Sequence, residues 1–290
     1  MGPWFAHVLR YNGLIGGWYA ELYAGGAGVA LYLLANGYVD HILLNDKDPF
    51  IHAFWRSVVQ DTDDFIEKIR KTPVTMDSRS YFQYVLKNAD SYSTLEVGFA
   101  AFFLNRTSRS GVLTGGAIGG KAQGGAYKID SRYNTDELVS RVQALGALRS
   151  RITVVGMDAL DFLRERSASL PEKTVIYLDP PYYVKGAGLY RHHYRRNDHA
   201  DLAQCIREVS RPVLVSYDDT PEVRRLYSGM PSVSFSFQYC MNPSCPGGDE
   251  VLFYSNLCLP APPNLAKSSG VCAPLSKGSQ LGLDLSTARY

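Results

Sequence analysis

Four consecutive residues past the middle of the chain have the types and order to do chemistry. Val175-Ile176-Tyr177-Leu178 is an apolar run, and Asp179-Pro180-Pro181-Tyr182 follows it at once. Two prolines cannot continue a strand ladder, because they lack the backbone N–H and fix φ. They would hold the Asp179 carboxylate on rigid backbone at a sheet edge, with an aromatic ring beside it; the plainer alternative is a rigid strand-to-loop turn. A second group lies near the N-terminus. Residues 18–23 are rich in aromatics and run into Ala24-Gly25-Gly26-Ala27-Gly28, and Asp46 lies 21 residues beyond Gly25. An acid at that place can accept hydrogen bonds from both hydroxyls of a ribose. Asp46 or Asp48 would equally suit a helix N-terminus, where the helix dipole favours an acid. The glycines do not match G-x-G-x-x-G, so a mononucleoside fits better than a dinucleotide.

These groups need a scaffold that brings strand ends together. The order strand, Gly loop, helix (residues 29–35, stopping at Asn36-Gly37), strand (41–45), acid predicts a parallel α/β sheet. Pro49 suits the first turn of the next helix. Short β-branched runs at 152–155, 174–178 and 213–216 continue the sheet, with helical segments at 158–163 and 198–209. Residues 233–239 and 250–255 suit a closing hairpin. In open parallel sheets ligands bind beyond the carboxyl ends of the strands, and that edge is where the acids fall. Four segments result: 1–100 and 151–257 form one discontinuous α/β unit, 101–150 an insertion, and 258–290 a weakly ordered tail rich in Pro, Ser, Gly and Ala. The insertion holds seven glycines between Gly111 and Gly125, which excludes a regular helix there.

Composition narrows the classes. The 290 residues are 46% hydrophobic and 20% charged, with a net charge of +2, which is ordinary for a globular domain and excludes coiled-coil, collagen-like and disordered chains. The five cysteines, Cys205, Cys240, Cys245, Cys258 and Cys272, are odd in number and sparse. They read as reduced thiols of a cytoplasmic protein. No signal peptide and no membrane-length apolar run is visible. Positive charge is concentrated in two acid-poor windows. One carries Arg106, Arg109, Lys121 and Lys128; the other carries Lys185, Arg191, Arg195 and Arg196 with His192 and His193. Both suit phosphate contact, although solvated loop charge is the simpler alternative. Gly115-Gly116-Ala117-Ile118-Gly119-Gly120-Lys121-Ala122 approaches a P-loop, but Ala122 stands where a magnesium-binding Ser or Thr belongs. Cys240 and Cys245 are spaced too widely for the usual zinc pair, and no metal site is expected.

Taken in order, the motifs resemble the Dam-like class of S-adenosylmethionine-dependent DNA adenine-N6 methyltransferases. Asp179-Pro180-Pro181-Tyr182 resembles their catalytic motif and Glu21-Leu22-Tyr23-Ala24-Gly25-Gly26-Ala27-Gly28 their cofactor loop. Asn45-Asp46 resembles the ribose acid, Asp158 the acid beside the cofactor adenine, and Phe102-Phe103-Leu104-Asn105-Arg106 the entry to the recognition insertion. The resemblance covers roughly residues 18–257. It implies a Rossmann-like methyltransferase sheet, mostly parallel, with an antiparallel C-terminal hairpin strand and an inserted DNA-recognition region. It implies S-adenosylmethionine held by Glu21, Tyr23, Ala24, Gly25, Gly26, Asp46, Asp158, Ala159 and Asp179, with S-adenosylhomocysteine as product. Asp179, Pro180, Pro181 and Tyr182 would act on a flipped-out adenine. Double-stranded DNA would be met by Asn105, Arg106, Arg109, Lys121, Lys128, Lys185 and Arg191. A monomer, with or without a cognate restriction endonuclease, is the expected state. Rival readings are an amino-methyltransferase acting on DNA cytosine N4 or RNA adenine, and a silent DNA-binding relative. One departure stands out. The family opens with an aromatic-Gly-Gly-Lys segment over the methionine end of the cofactor; the nearest equivalent is Arg10-Tyr11-Asn12-Gly13, and no Lys follows.

Overall fold

A computed structural model of the chain describes residues 1–183, 194–238, 247–260 and 262–263. Its centre is a seven-stranded sheet of β1 (Gly17–Glu21), β2 (Val39–Asn45), β3 (Ile152–Val155), β4 (Thr174–Leu178), β5 (Val213–Asp218), β6 (Ser232–Gln238) and β7 (Gly247–Ser255), in the spatial order β3-β2-β1-β4-β5-β7-β6. The first five strands are parallel, and β7 runs antiparallel between β5 and β6. This is the mostly parallel α/β sheet that the order of strand and helix signals predicted, closed by the antiparallel hairpin expected near the C-terminus. β4 is buried along its whole length, which is why it reads as an unbroken apolar run rather than an alternating one.

Side chains alternate across the sheet. Tyr19, Ile42, Leu44, Val175, Tyr177 and Leu214 share one core with the helices α1 (Gly2–Tyr11), α2 (Gly28–Ala35), α3 (Pro49–Gln60), α4 (Thr62–Lys71), α5 (Met76–Lys87), α6 (Thr94–Thr107) and α7 (Thr135–Ala147). Ala20, Leu43, Ile176, Leu178, Val213 and Val215 share the other with α8 (Ala159–Arg166), α9 (Arg196–Glu208) and α10 (Pro221–Leu226). Successive connections run β1 to β2 to β3 on one side and β4 to β5 on the other. Chain order therefore reverses between β1 and β4, the switch point at which such sheets open a crevice.

The connection from β2 to β3 carries five helices, α3 to α7, and the long loop 108–134. The boundary expected at residue 100 falls inside α6, a helix opened by a capping box of Ser93 and Glu96 and buried from Val97 to Thr107. Its apolar residues fill every face, so no periodic stripe marked it in the sequence. α6 runs antiparallel to α3: Thr94 meets Ser57, Gly98 faces Ala53 and Ala101 packs with Phe50. At Gly98 the helices approach so closely that an added Cβ would lie 2.5 Å from the Ala53 carbonyl oxygen. α3 starts at the carboxyl tip of β2, so the C-terminal end of α6 returns to that same edge. Thr107 lies six residues past Ala101, which lifts loop 108–134 about 9 Å beyond the start of α3. The near P-loop at 115–122 lies within this loop. No strand ends at Gly115, and the next helix begins at Thr135.

Candidate active site

The carboxyl tips of β1, β2 and β3 are tied together by one buried amide. Asn45, the last residue of β2, is fully buried; its Nδ2 donates to the carbonyls of Leu22 and Met157, and its Oδ1 accepts from the Met157 N–H. Beside it the glycine loop turns sharply into α2. Gly25 and Ala27 both have positive φ, +45° and +49°, a region that a residue with a side chain enters only at a cost. The space above Gly25 and Gly28 is open, since an added Cβ would meet nothing within 4 Å. Behind the loop, buried Glu21 accepts from the Ala30 N–H in the first turn of α2.

Asp46 is not the cap of α3. That role belongs to Asp48, whose carboxylate accepts from the Phe50 N–H. The two oxygens of Asp46 instead accept from the backbone N–H groups of Gly25 (2.9 Å) and Asp48 (2.9 Å). Burial pushes its carboxyl up to about 6 against the pull of those two bonds, with a contribution from the Asp48 charge. A carboxylate has about four acceptor sites, so Asp46 can take further donors while it holds the glycine loop in place. The indole N–H of Trp55 fixes the same loop from α3 through the Gly25 carbonyl at 2.8 Å.

At the tip of β3, Asp158 caps α8 through the Leu160 N–H and forms an ion pair with Lys47 at 2.9 Å. It also accepts from the Tyr194 hydroxyl. Burial would raise its carboxyl, but these partners together hold it below the usual value. Ala159, buried, opens α8. Tyr23 stands edge-on to Tyr194 with ring centres 6.0 Å apart.

At the tip of β4, the Ser216 hydroxyl of β5 donates to Asp179 Oδ1 at 2.8 Å, and Tyr177 lies 2.8 Å from the same hydroxyl. Ser216 has one proton and gives it to the carboxylate, so Tyr177 is the donor to Ser216. Such a directed chain polarises each of its members. Pro180 and Pro181 are buried, while Tyr182 and Tyr183 are partly open. Tyr183 and Tyr194, which flank residues 184–193, both pack their rings against His199. The His199 Nδ1 pairs with the Tyr217 hydroxyl at 2.9 Å, and burial pulls this imidazole down to about 4, keeping it neutral. Strands lie about 4.8 Å apart, so with β1 between them the tips of β2 and β4, which Asp46 and Asp179 follow, are about 10 Å apart across the switch point.

Burial corrects one expectation. Asn105 and Arg106 do not face outward: both are buried in α6, where Asn105 donates to the Gly111 carbonyl and Arg106 to that of Arg132. They fix the loop through these backbone contacts. Arg10-Tyr11-Asn12-Gly13 closes α1 at the amino edge of the sheet, where Asn12 pairs with the Cys258 backbone and Gly16 with Tyr38. The length of β1, about 17 Å, separates it from the glycine loop. Arg109, Lys121 and Lys128 are exposed on loop 108–134. Lys185 and Arg191 lie outside the described residues, as do His192, His193, Cys240, Cys245 and Cys272. Among the described residues no cluster of His, Cys, Asp and Glu could hold a metal ion, and no helix is long and apolar enough to cross a membrane. A 730 Å³ concavity lies elsewhere, between α4 and α5. The sequence reading missed Lys47, Trp55, Tyr177, Tyr194 and Ser216. Only Ser216, beside the expected strand end 213–216, offered a signal.

A search of curated proteins found no match. Among solved structures, a protein described as an RNA methyltransferase from Pyrococcus horikoshii is 10% identical, with 88% of this chain and 81% of that one covered and a TM-score of 0.38. The rRNA methyltransferase AviRa from Streptomyces viridochromogenes is 12% identical, with 86% and 80% covered and a TM-score of 0.37. Likenesses this distant carry no argument about function. The family model for D12 class N6 adenine-specific DNA methyltransferases matches residues 12–239, a span that contains the glycine loop, Asp46, Asp158, Asp179 and loop 108–134. By that match the chain belongs to the D12 class of N6 adenine-specific DNA methyltransferases.

Proposed function

We propose that the protein transfers a methyl group from S-adenosylmethionine to the exocyclic N6 of an adenine flipped out of duplex DNA. The observation that carries this reading is the Asp179 carboxylate, oriented by Ser216 at the tip of β4 across the switch point from Asp46 and the glycine loop. The residues present fit a nucleoside methyl donor: open space lies above Gly25 and Gly28, and Asp46 offers acceptors at the end of β2. Asp46 would take the ribose hydroxyls; Glu21, Tyr23, Ala24 and Gly26 would shape the loop; and Asp158 and Ala159 would border the adenine. When bound, the donor supplies an activated methyl on a sulfonium, and the protein supplies position and electrostatics.

The adenine amine is a poor nucleophile because its lone pair is delocalised into the ring. The Asp179 carboxylate and the Pro180 carbonyl accept hydrogen bonds from its two N–H groups, which concentrates electron density on nitrogen and aims it in line with the methyl; as the N–C bond forms, the S–C bond breaks, S-adenosylhomocysteine leaves, and one N–H proton is released to solvent. The paired prolines keep the two acceptors at a fixed separation. Tyr182 stacks on the extruded ring, offsetting part of the few kcal/mol that flipping costs. Arg109, Lys121 and Lys128, with Lys185 and Arg191, meet the phosphates and base edges. In this reading the DNA-recognition unit runs from α4 to the end of loop 108–134, not from residue 101 to 150.

The test is methyl transfer from labelled S-adenosylmethionine to unmethylated genomic DNA, with digestion to nucleosides. Label in N6-methyladenine is the expected result. Label in N4-methylcytosine, or transfer to RNA alone, would replace the substrate; cofactor binding without transfer to any nucleic acid would indicate a silent relative.

A further inference from the structure

Arg79, in α5, belongs to no motif of the sequence, yet the residue is buried, with 3% of its surface exposed. Among the described residues no carboxylate lies within ion-pair distance of it. Its Nη1 donates to the hydroxyls of Thr107 (3.1 Å) and Ser108 (2.9 Å), and its Nη2 to the Gly115 carbonyl. Burial lowers its proton affinity with no acid to restore it. A buried, unpaired cation is costly unless its surroundings supply dipoles. Here they do, because Thr107 and Ser108 sit at the C-terminal, negative end of α6.

The positions of those acceptors are informative. Thr107 and Ser108 enter the turn 108–117, and Gly115 nearly completes it. Backbone bonds from Arg109 N to Gly116 O and from Ile118 N to Thr107 O close the turn across its base. Arg79 thus joins both ends of one turn, and that turn presents the exposed Arg109. A flat guanidinium fork can hold three acceptors at fixed angles, which a lysine ammonium on a flexible stem cannot do as rigidly.

We propose that Arg79 is a specificity-positioning residue: it sets the register of turn 108–117, and so the place of Arg109 on the duplex, without touching DNA itself. This rests on the DNA-methylating reading above. Two variants test it, Arg79→Lys, which keeps the charge, and Arg79→Leu, which removes it. The first measurement needs no substrate. Hydrogen exchange in the free protein should show faster exchange at Arg109 and Ile118 in Arg79→Lys, with α6 amides still protected; unchanged protection would overturn the proposal. The second is the kcat/KM ratio between the duplex site mapped for the wild-type enzyme and the same duplex with one base pair changed. A misplaced reading residue should cut that ratio by about tenfold, the scale of one mismatched contact, with cofactor affinity unchanged. An undiminished ratio in folded Arg79→Lys would likewise overturn it. If Arg79→Leu does not fold, Arg79→Lys decides. If the wild-type enzyme leaves DNA unmethylated, the functional reading has failed, and the exchange data still judge the anchor.

Discussion

The strand tips and loop 108–134 solve the same problem in opposite ways. Both are irregular backbone held by buried polar side chains. At the tips, Asn45 and the backbone N–H groups of Gly25 and Asp48 hold the strand ends and the carboxylate of Asp46, while Ser216 holds that of Asp179. In the loop, Arg79, Asn105, Arg106 and Gln123 bind mostly backbone, at Gly115, Gly111, Arg132 and the group Ile118, Gly120 and Ile129. Arg109, Lys121 and Lys128 are left exposed there. The difference matches the two tasks of the proposed function. Transfer chemistry needs acceptors fixed in position, whereas contact with a charged polymer needs a fixed path and side chains free to reach it.

Five substitutions would break or sharpen that contrast. Asp179→Ala should lower kcat at least about a thousand-fold, as loss of a fixed transition-state partner does, while calorimetry still finds cofactor binding; near-normal turnover would remove Asp179 from the chemistry. Ser216→Ala leaves the carboxylate but frees it. A kcat loss of about 10- to 100-fold is expected from such misplacement, with little change in KM and recovery in Ser216→Thr. Gly98→Ala attacks the platform beneath the loop, where the new methyl meets the Ala53 carbonyl. It should cost about 1–3 kcal/mol of stability, seen as a lower Tm, because backbone rather than a flexible side chain must yield.

Asp46→Asn should weaken cofactor binding about tenfold, as expected for one lost charge-assisted hydrogen bond. It carries a pH signature as well. Because burial raises the Asp46 carboxyl to about 6 in the folded chain, this group favours folding fully below its ordinary value of 3.8, and that contribution is lost as the pH rises through about 6. The amide that replaces the carboxyl does not titrate, so the variant should gain stability relative to wild type as the pH rises through this window. Wild-type cofactor affinity should improve over the same range, and a flat profile would count against the ionised acceptor. Lys121→Ala, an exposed loop cation, should have the smallest effect: weaker DNA binding across all sequences and a salt slope reduced by about one.

Much of the scaffold was legible because its signals are local. The strands at 152–155 and 174–178 coincide with β3 and β4, and α2 ends at the Asn36-Gly37 stop. α6 was not legible. Its burial on all sides makes it look like featureless apolar sequence, so an insertion boundary at residue 100 cuts through the middle of a helix. Asn105 and Arg106 misled for a related reason. A polar residue in a basic window looks like surface unless its buried partner is known, and those partners, the carbonyls of Gly111 and Arg132, are backbone atoms with no residue-type signature.

By itself the sequence determined the order of the strands and of the helices α2, α3, α8 and α9, the glycine turn after β1 and the acid after each of β2 and β4. Those follow from backbone preferences that act over a few residues: proline ends a ladder, glycine accepts positive φ, and apolar runs bury. Only the tertiary structure decided which groups stand free and which are spent on holding the chain. That depends on contacts between residues far apart in sequence, such as Arg79 with Gly115, Asn45 with Met157 and Tyr177 with Ser216. A buried polar group must find a partner wherever the packed chain provides one.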